Sequence, residues 1–243
     1  LGEPVKPYAD NDAKKAQVAR MFDNIAGNYD FLNHFFSLGI DKIWRKKALK
    51  MLDPKKHRVI LDVATGTGDF ALQAMKNGLQ PSRIFGVDIS EGMLEVGRKK
   101  VKKAGYENII ELKHGDSENL PFESDTFDAY VAGFGVRNFQ DLDAGLREMY
   151  RVLKPGGKGI ILEFSRPHRF PFKQAFGFYF KRIMPAVGKR ISKDPRAYAY
   201  LPESVDAFPE GQEFLRIMQR CAYSDCGMKR LSGGIATIYW GHK

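Results

Sequence analysis

Ile60-Leu61-Asp62-Val63-Ala64-Thr65-Gly66-Thr67-Gly68-Asp69 decides the fold of this chain. An apolar run ends in an acid, passes a glycine-rich turn and enters the helical spacing of Phe70, Ala71, Ala74 and Met75. A second strand, Ile84-Phe85-Gly86-Val87, then closes on Asp88. Together these form the first half of a nucleotide-binding α/β unit. The glycines let backbone approach a ligand where a Cβ would block it. An acid at the tip of the second strand is placed to hydrogen-bond ribose hydroxyls.

Two adenosine-bearing cofactors compete for this loop. Gly66-Thr67-Gly68-Asp69-Phe70-Ala71 satisfies the loose dinucleotide pattern, and Tyr150-Arg151-Val152-Leu153-Lys154 has the spacing of a short-chain dehydrogenase pair. Such a pair needs one helix face, yet Lys154 runs straight into Pro155-Gly156-Gly157, a helix stop and turn. Asp62 and Asp69 flank the loop with no Lys or Arg between them, whereas a pyrophosphate favours positive potential. A sulfonium cofactor with a free amino group tolerates nearby carboxylates. The loop favours S-adenosylmethionine.

Outward from the loop, the spacing predicts a helical prelude over residues 12–57. Asp12 is the candidate cap of a helix carrying Val18, Met21, Phe22 and Ile25, which Gly27 ends. Tyr29-Asp30-Phe31-Leu32-Asn33 begins a second amphipathic stretch. Asp41 caps a third, with Ile43, Trp44, Ala48, Met51 and Leu52 inward. A core over 58–164 alternates strands at 59–64, 84–88, 109–114, 127–133 and 159–164 with helices near 69–77, 91–104 and 141–153, a doubly wound α/β sheet. After a basic insertion at 165–206, the segment 207–243 gives a helix near 210–222, then Met228–Leu231, the turn Ser232-Gly233-Gly234 and Ile235–Gly241. That hairpin adds an antiparallel strand to a parallel sheet, an ending typical of class I methyltransferases and unusual for dehydrogenases. All four segments are read as one domain, 1–243.

Composition bounds the rest. The chain has 243 residues, 43% of them hydrophobic and 28% charged, ordinary for a globular protein. It has no apolar run near the roughly 18 residues of a membrane span, and Leu1-Gly2-Glu3-Pro4 shows no signal-peptide core. The missing initiator Met suggests that a few residues have been removed. Cys221 and Cys226, without a ligand cluster, suggest a reduced compartment, ordinary packing and no metal. The net charge is +10, and from Arg166 to Arg196 nine Lys/Arg face one acid, Asp194, a balance of +8. Phe172, Phe176, Phe180, Ile183 and Val187 recur there at helical spacing, with Phe178 and Tyr179 beside them. The plain interpretation is a core helix with a solvated basic face. The favoured one is an amphipathic lid on an anionic membrane surface. A nucleic-acid methyltransferase or RNA-binding module is the alternative. No catalytic-cysteine or N-P-P-Y/F motif supports it, and no nucleic-acid partner is expected.

Acids at successive strand ends, Asp62, Asp88 and Asp116, mark a ligand edge, since sheets of this type bind there. His114-Gly115-Asp116-Ser117, with Leu120-Pro121-Phe122 and Phe127-Asp128 behind it, follows the adenine-side run of the class I fold. The resemblance becomes specific in Phe22-Asp23-x-Ile25-Ala26-x-x-Tyr29-Asp30, Gly135-Val136-Arg137-Asn138, Arg147-Glu148-Met149-Tyr150-Arg151-Val152-Leu153-Lys154-Pro155-Gly156-Gly157, Glu163-Phe164-Ser165 and Tyr198-x-Tyr200-Leu201-x-x-Ser204. On these the chain resembles the ubiquinone/menaquinone biosynthesis C-methyltransferases of UbiE/MenG type.

The resemblance implies a Rossmann-like fold with a seven-stranded sheet. It implies S-adenosylmethionine as cofactor and a prenylated quinol, most readily demethylmenaquinol, as acceptor, with a benzoquinol as alternative. It also implies a cytoplasmic protein, peripheral at the inner face of the membrane, and is compatible with a homodimer. The cofactor-binding residues it implies are Asp62, Gly66, Thr67, Gly68, Asp88, Ile89, Met93, Asp116, Ser117 and Gly133, the last often Ser or Ala in the family. Arg137, Asn138 and Tyr29 are the expected catalytic residues. A guanidinium aimed at the acceptor oxygen stabilises phenolate character, and Asn138 orients it. His34, Tyr198, Tyr200 and Phe176 are substrate-side candidates, with Tyr29, His34 and Tyr198 as oxygen orienters or proton handlers.

Overall fold

Strand β1 (Val59–Val63) is almost wholly buried because both of its faces are covered by helices, the usual state of a central parallel strand. The structure, a computed structural model, describes residues 5–30, 37, 39–168, 170–179, 182 and 194–243. Strands β2 (Arg83–Asp88), β3 (Ile110–His114), β4 (Phe127–Gly133), β5 (Leu153–Phe164), β6 (Ser224–Leu231) and β7 (Ala236–His242) complete one seven-stranded sheet in the order β3-β2-β1-β4-β5-β7-β6. Strands β1 to β5 pair in parallel. β7 is antiparallel to both its neighbours and is the one reversed strand. The order reverses between β1 and β4, so the crevice for a ligand lies beyond their C-terminal ends.

The alternation of β1 sends its side chains to two separate cores. Ile60 joins Trp44, Ala48 and Leu49 of α2 (Ile40–Leu49), Phe70 and Ala74 of α3 (Asp69–Lys76), and Leu94 and Val101 of α4 (Glu91–Ala104). Leu61 and Val63 join Leu146 and Met149 of α5 (Leu142–Arg151) and Phe214 and Met218 of α8 (Gln212–Arg220). A third cluster lies between α1 (Lys14–Ile25) and α7 (Pro195–Ala207), where Val18, Met21 and Ile25 meet Tyr198, Tyr200 and Val205; α6 (Phe172–Phe178) contributes Phe176.

Several boundaries differ from the sequence expectation. Asp12 does not cap α1. The N-cap is Ala13, with no side-chain bond, and the Asp12 carboxylate pairs with Arg20 at 3.1 Å. Asp41 is no cap either, because it is buried against Arg45 while Gly39, at φ 74°, takes the cap position. Ile43 is 54% exposed, since α2 turns Trp44, Ala48 and Leu49 to the sheet instead. Strand β5 begins at Leu153 and not at Gly159. A register shift between Phe127 and Ala129 accommodates the Pro155-Gly156-Gly157 stretch as an irregularity within the strand. Lys154 therefore lies in the sheet, bonded to Asp128 at 2.7 Å, and shares no helix face with Tyr150. Strand β6 likewise starts at Ser224, before the expected Met228. Residues 31–36, and most of 180–193 from the basic insertion, lie outside the described residues.

Candidate active site

The turn after β1 bends through three left-handed residues, Ala64 (φ 51°), Gly66 (φ 56°) and Gly68 (φ 77°). Asp62 holds this turn from below: its Oδ2 accepts from Thr65 Oγ1 at 2.6 Å and from the Ala71 N–H at 3.2 Å. Burial pushes the Asp62 carboxyl up to about 7, against the lowering effect of those two bonds. Asp88 holds the turn from the side, with Oδ2 accepting from the Gly66 N–H at 2.7 Å and Oδ1 from the Ser90 N–H at 2.9 Å. Burial raises its pKa as well.

Above this floor is a pocket of about 630 Å³ that opens to solvent. Gly66, Asp88, Ile89 and Met93 line one wall; Asp116, Ser117 and Glu118 line the end beyond β3. Gly133, Phe134, Gly135, Asn138 and Phe139 line the wall beyond β4, and Lys15, Val18 and Phe22 of α1, with Tyr29, form the roof. The wall beyond β4 is closely fitted. A Cβ on Gly133 would come within 2.5 Å of the Phe70 ring, and one on Gly135 within 2.5 Å of the Ala64 Cβ. Gly133 is thus matched to Phe70 here, whatever the family carries at that position.

The pocket brings together Tyr29, Gly66, Asp88, Ile89, Met93, Asp116, Ser117, Gly133 and Asn138 of the expected site residues. Asp62 stands behind the loop, and Gly68 lies in it without lining the pocket. Thr67 is turned elsewhere: its hydroxyl donates to Asp30 at 2.5 Å and accepts from Lys100 Nζ at 3.0 Å, within a cluster that also ties Lys100 to Asp69. Tyr198, Tyr200 and Phe176 belong to the α1–α7 cluster instead, and His34 lies outside the described residues. Burial pushes the hydroxyls of Tyr29 and Tyr200 up to about 12, so both stay protonated at neutral pH. That suits orientation of an oxygen better than service as a base.

Arg137 does not line the pocket. It is held beside the pocket, on the turn after β4, by a set of partners that the sequence did not reveal. Nη1 pairs with the buried Glu163 carboxylate at 2.9 Å and donates to the Phe134 carbonyl; Nε donates to Ser204 Oγ at 3.3 Å. The guanidinium carbon lies 5.5 Å from the centre of the Phe164 ring. Nη2 is the one guanidinium nitrogen without a hydrogen-bond partner among the described residues. Next to it in sequence, the Asn138 Oδ1 is a buried acceptor with no partner, and so is the hydroxyl of Tyr200 on α7. Buried polar atoms are rarely left unpaired without cause. A free donor on Arg137 and an orphaned acceptor on the neighbouring Asn138, which lines the pocket, are what an oxygen-bearing acceptor would satisfy.

Residues 10–243 match the model of the ubiE/COQ5 methyltransferase family. The chain belongs to that family. It is 51% identical over 237 residues to a demethylmenaquinone methyltransferase of Bacteroides fragilis, covering 98% of this chain and 96% of that protein. It is 44% identical to the ubiquinone/menaquinone biosynthesis C-methyltransferase UbiE of Geobacter sulfurreducens, covering 95% and 90%. Among solved structures, a SAM-dependent methyltransferase from Thermotoga maritima superposes with a TM-score of 0.65 at 20% identity, covering 93% of this chain and 99% of that one, a likeness of fold. The seven-stranded sheet with its single reversed strand is the methyltransferase arrangement that the terminal hairpin foretold.

Lys15 of the roof and its neighbour Lys14 carried no signal in the sequence. Lys14 Nζ is buried, donating to the Phe139 carbonyl at 2.8 Å and the Arg137 carbonyl at 3.2 Å; burial brings its pKa down to about 8. Lys15 Nζ lies 2.5 Å from Asp116 and 3.2 Å from Glu118, across the end of the pocket. Only their positions on α1, at the point where that helix crosses the β3 and β4 loops, give them this role.

Proposed function

We propose that the chain methylates a ring carbon of a reduced, prenylated demethylnaphthoquinol, converting demethylmenaquinol to menaquinol with S-adenosylmethionine as donor. The observation that carries this is the clamped Arg137, with Nη2 unengaged, followed in sequence by the pocket-lining Asn138 with its orphaned Oδ1, at a pocket walled by acids. The relatives named for menaquinone biosynthesis support the choice of acceptor.

The chain's residues fit the cofactor. Asp88, Asp116 and Glu118 line the pocket against one cation, Lys15, a balance that suits a sulfonium and an amino group better than a pyrophosphate. When bound, the cofactor supplies an electrophilic methyl group. Asp88, already fixing the Gly66 backbone, is placed for ribose hydroxyls, and Asp116 with the Ser117 backbone for the adenine edge. Arg137 Nη2 donates to the ring oxygen as its proton leaves to solvent through the open pocket, and Asn138 Oδ1 accepts from the other acceptor hydroxyl; rearomatisation then passes the ring-carbon proton back to the oxygen, so one proton is released per methyl transferred. Tyr29, protonated and lining the pocket roof, orients the ring. The remaining task is alignment of acceptor carbon with methyl, a matter of positioning.

An anaerobic assay with methyl-labelled cofactor tests the reading. Label should enter a short-tailed demethylnaphthoquinol. Faster labelling of a benzoquinol would move the chain to the ubiquinone pathway, and labelling of neither would overturn the proposal.

Lys15 holds the carboxylate that the adenine amino group would need. Lys15→Ala is therefore expected to tighten cofactor binding by about two- to fivefold in calorimetry, the scale of a half-exposed ion pair. Weaker binding in that variant would instead make the roof contact part of the cofactor site.

We also propose a peripheral position at the inner membrane face. No helix among the described residues is long and apolar enough to cross a bilayer. Phe170 and Phe178 are 80% and 63% exposed, with Lys173 and Arg182 exposed near them. The purified protein should bind anionic vesicles and release as salt rises, each nearby cation contributing about 1 kcal/mol. Neutralising Lys181, Arg182, Lys189 and Arg190 should abolish vesicle binding and raise KM for long-tailed quinols only. Equal losses on a water-soluble analogue would mean that the segment shapes the active site itself, and RNA binding without vesicle binding would revive the nucleic-acid alternative.

A further inference from the structure

Glu163, near the end of β5, is fully buried, and its carboxylate is spent almost entirely on Arg137. Oε1 accepts from Arg137 Nη1 at 2.9 Å and from the Phe164 N–H at 2.9 Å; Oε2 accepts from the Arg137 backbone N–H at 3.3 Å. Desolvating two such ions costs several kcal/mol each, and a packed apolar pair of similar volume would stabilise the fold as well or better. Stability alone therefore does not account for the pair. What the pair does achieve is specific. It leaves Arg137 with a single unengaged nitrogen, Nη2, and it sets beside the guanidinium a carboxyl that burial pushes up and Arg137 pulls back towards the charged form.

We propose that Glu163 is a positioning residue with two tasks: it fixes Arg137 so that Nη2 alone meets the acceptor oxygen, and it offsets the guanidinium charge so that the bound quinol remains a neutral diol until methyl transfer begins. This rests on the role proposed for Arg137. An unbalanced cation within hydrogen-bond range lowers the pKa of a neighbouring acid by about 1–3 units. Without Glu163 the acceptor would bind as its quinolate, and the methylated product would be held in the same form and leave slowly. With Glu163 the guanidinium stabilises negative charge chiefly as it develops, which is the condition for accelerating the step instead of merely tightening binding.

Other ionisable groups also reach this centre. Lys14 on α1 and Tyr29 both interact with Arg137; Tyr29 also senses Arg45, Asp30 and Asp69. From α7, Tyr200 senses Arg137, Glu163 and Glu203, the last paired with Arg196 at 2.7 Å. The two tyrosines lie up at about 12 and Lys14 at about 8, and burial raises the Glu163 carboxyl against the pull of Arg137, so a limb belongs to the acceptor hydroxyl where it also shifts with the acidity of the quinol supplied.

The test is the pH profile of kcat on a short-tailed demethylnaphthoquinol, under anaerobic conditions, with cofactor affinity measured beside it. Glu163→Gln keeps an oxygen for Nη1 but removes the charge. Its acid limb should move down by at least about one pH unit, with a lower KM for the acceptor. Glu163→Asp keeps the charge but shortens the reach, so kcat should fall about tenfold with the limb unmoved, as for a misplaced donor. Ser204→Ala removes the Nε contact, along with a bond to the Leu201 carbonyl inside α7, leaves Glu163 in place and should behave like the Asp variant, which keeps the test decisive if Glu163→Gln does not fold. An unmoved limb in Glu163→Gln, or a moved limb in Ser204→Ala, overturns the charge-balancing task. Full kcat in Glu163→Asp overturns the positioning task. Near-normal turnover in Arg137→Ala is a separate outcome and removes the reading on which both tasks rest.

Discussion

Arg137→Ala is expected to lower kcat by at least about a hundredfold, the scale of a lost transition-state donor, while leaving cofactor affinity nearly intact. The second half of that expectation comes from placement, since Arg137 stands beside the pocket proposed for the cofactor and does not line it. The same substitution strips Glu163 of its counter-ion. A buried carboxylate left alone costs about 3–5 kcal/mol unless it takes up a proton, so Tm should fall as well. Arg137→Lys separates the two effects. An ammonium can still pair with Glu163, which restores most of the stability. It has no planar fork with which to reach Phe134, Ser204, Glu163 and an acceptor oxygen together, so kcat should recover only in part. Steady-state kinetics with thermal melts on both variants make the comparison. Near-normal turnover in the Ala variant would take Arg137 out of the mechanism.

Much of this arrangement was legible in the chain, and the reason is local. Apolar runs that end in acids, with glycines between, mark β1, β2 and the turn linking β1 to α3 because the constraint lies within one short stretch. Asp88, Asp116, Ser117 and Asn138 could therefore be placed near a ligand edge. Thr67 shows where local reasoning stops. It sits in the right turn, but the direction of its hydroxyl is decided by Asp30 and Lys100, which come from segments far away in the chain. Glu163 and Ser204 could not be matched to Arg137 from spacing, because strand order and the docking of α7 bring them together. Asp41 misled for a related reason. An acid ahead of an apolar helix is the usual cap signature, and only the buried Arg45 one turn on reveals its other use. The Pro-Gly-Gly stretch reads as a turn, yet the sheet absorbs it as an irregularity because β4 supplies partners on both sides of it. Element type came from pattern; partners across elements did not.

Asp88→Ala should weaken S-adenosylmethionine binding by about 1.5–3 kcal/mol, roughly ten- to over a hundredfold, as expected when bonds to an ionised group are lost. Two losses contribute, and the geometry lets them be told apart. Asp88 would lose its contact to the ribose, and it would also release the Gly66 and Ser90 N–H groups that it holds at 2.7 and 2.9 Å. The second loss loosens the turn at left-handed Gly66 and the start of α4, so it should appear as reduced thermal stability without cofactor. Asp88→Asn retains one acceptor oxygen but no charge. It should keep more of the turn's stability than the Ala variant while losing much of the affinity, because a ribose hydroxyl bonds more weakly to a neutral amide than to a carboxylate. Calorimetry with S-adenosylmethionine, and with NAD as the competing adenosine ligand, decides the matter. Neither the wild type nor the variants should bind NAD, since even without Asp88 the pocket offers a pyrophosphate two carboxylates and one lysine already engaged by both. Tight NAD binding by the wild type would reverse the choice of cofactor, and unchanged S-adenosylmethionine affinity in Asp88→Ala would mean that the acid serves only the turn.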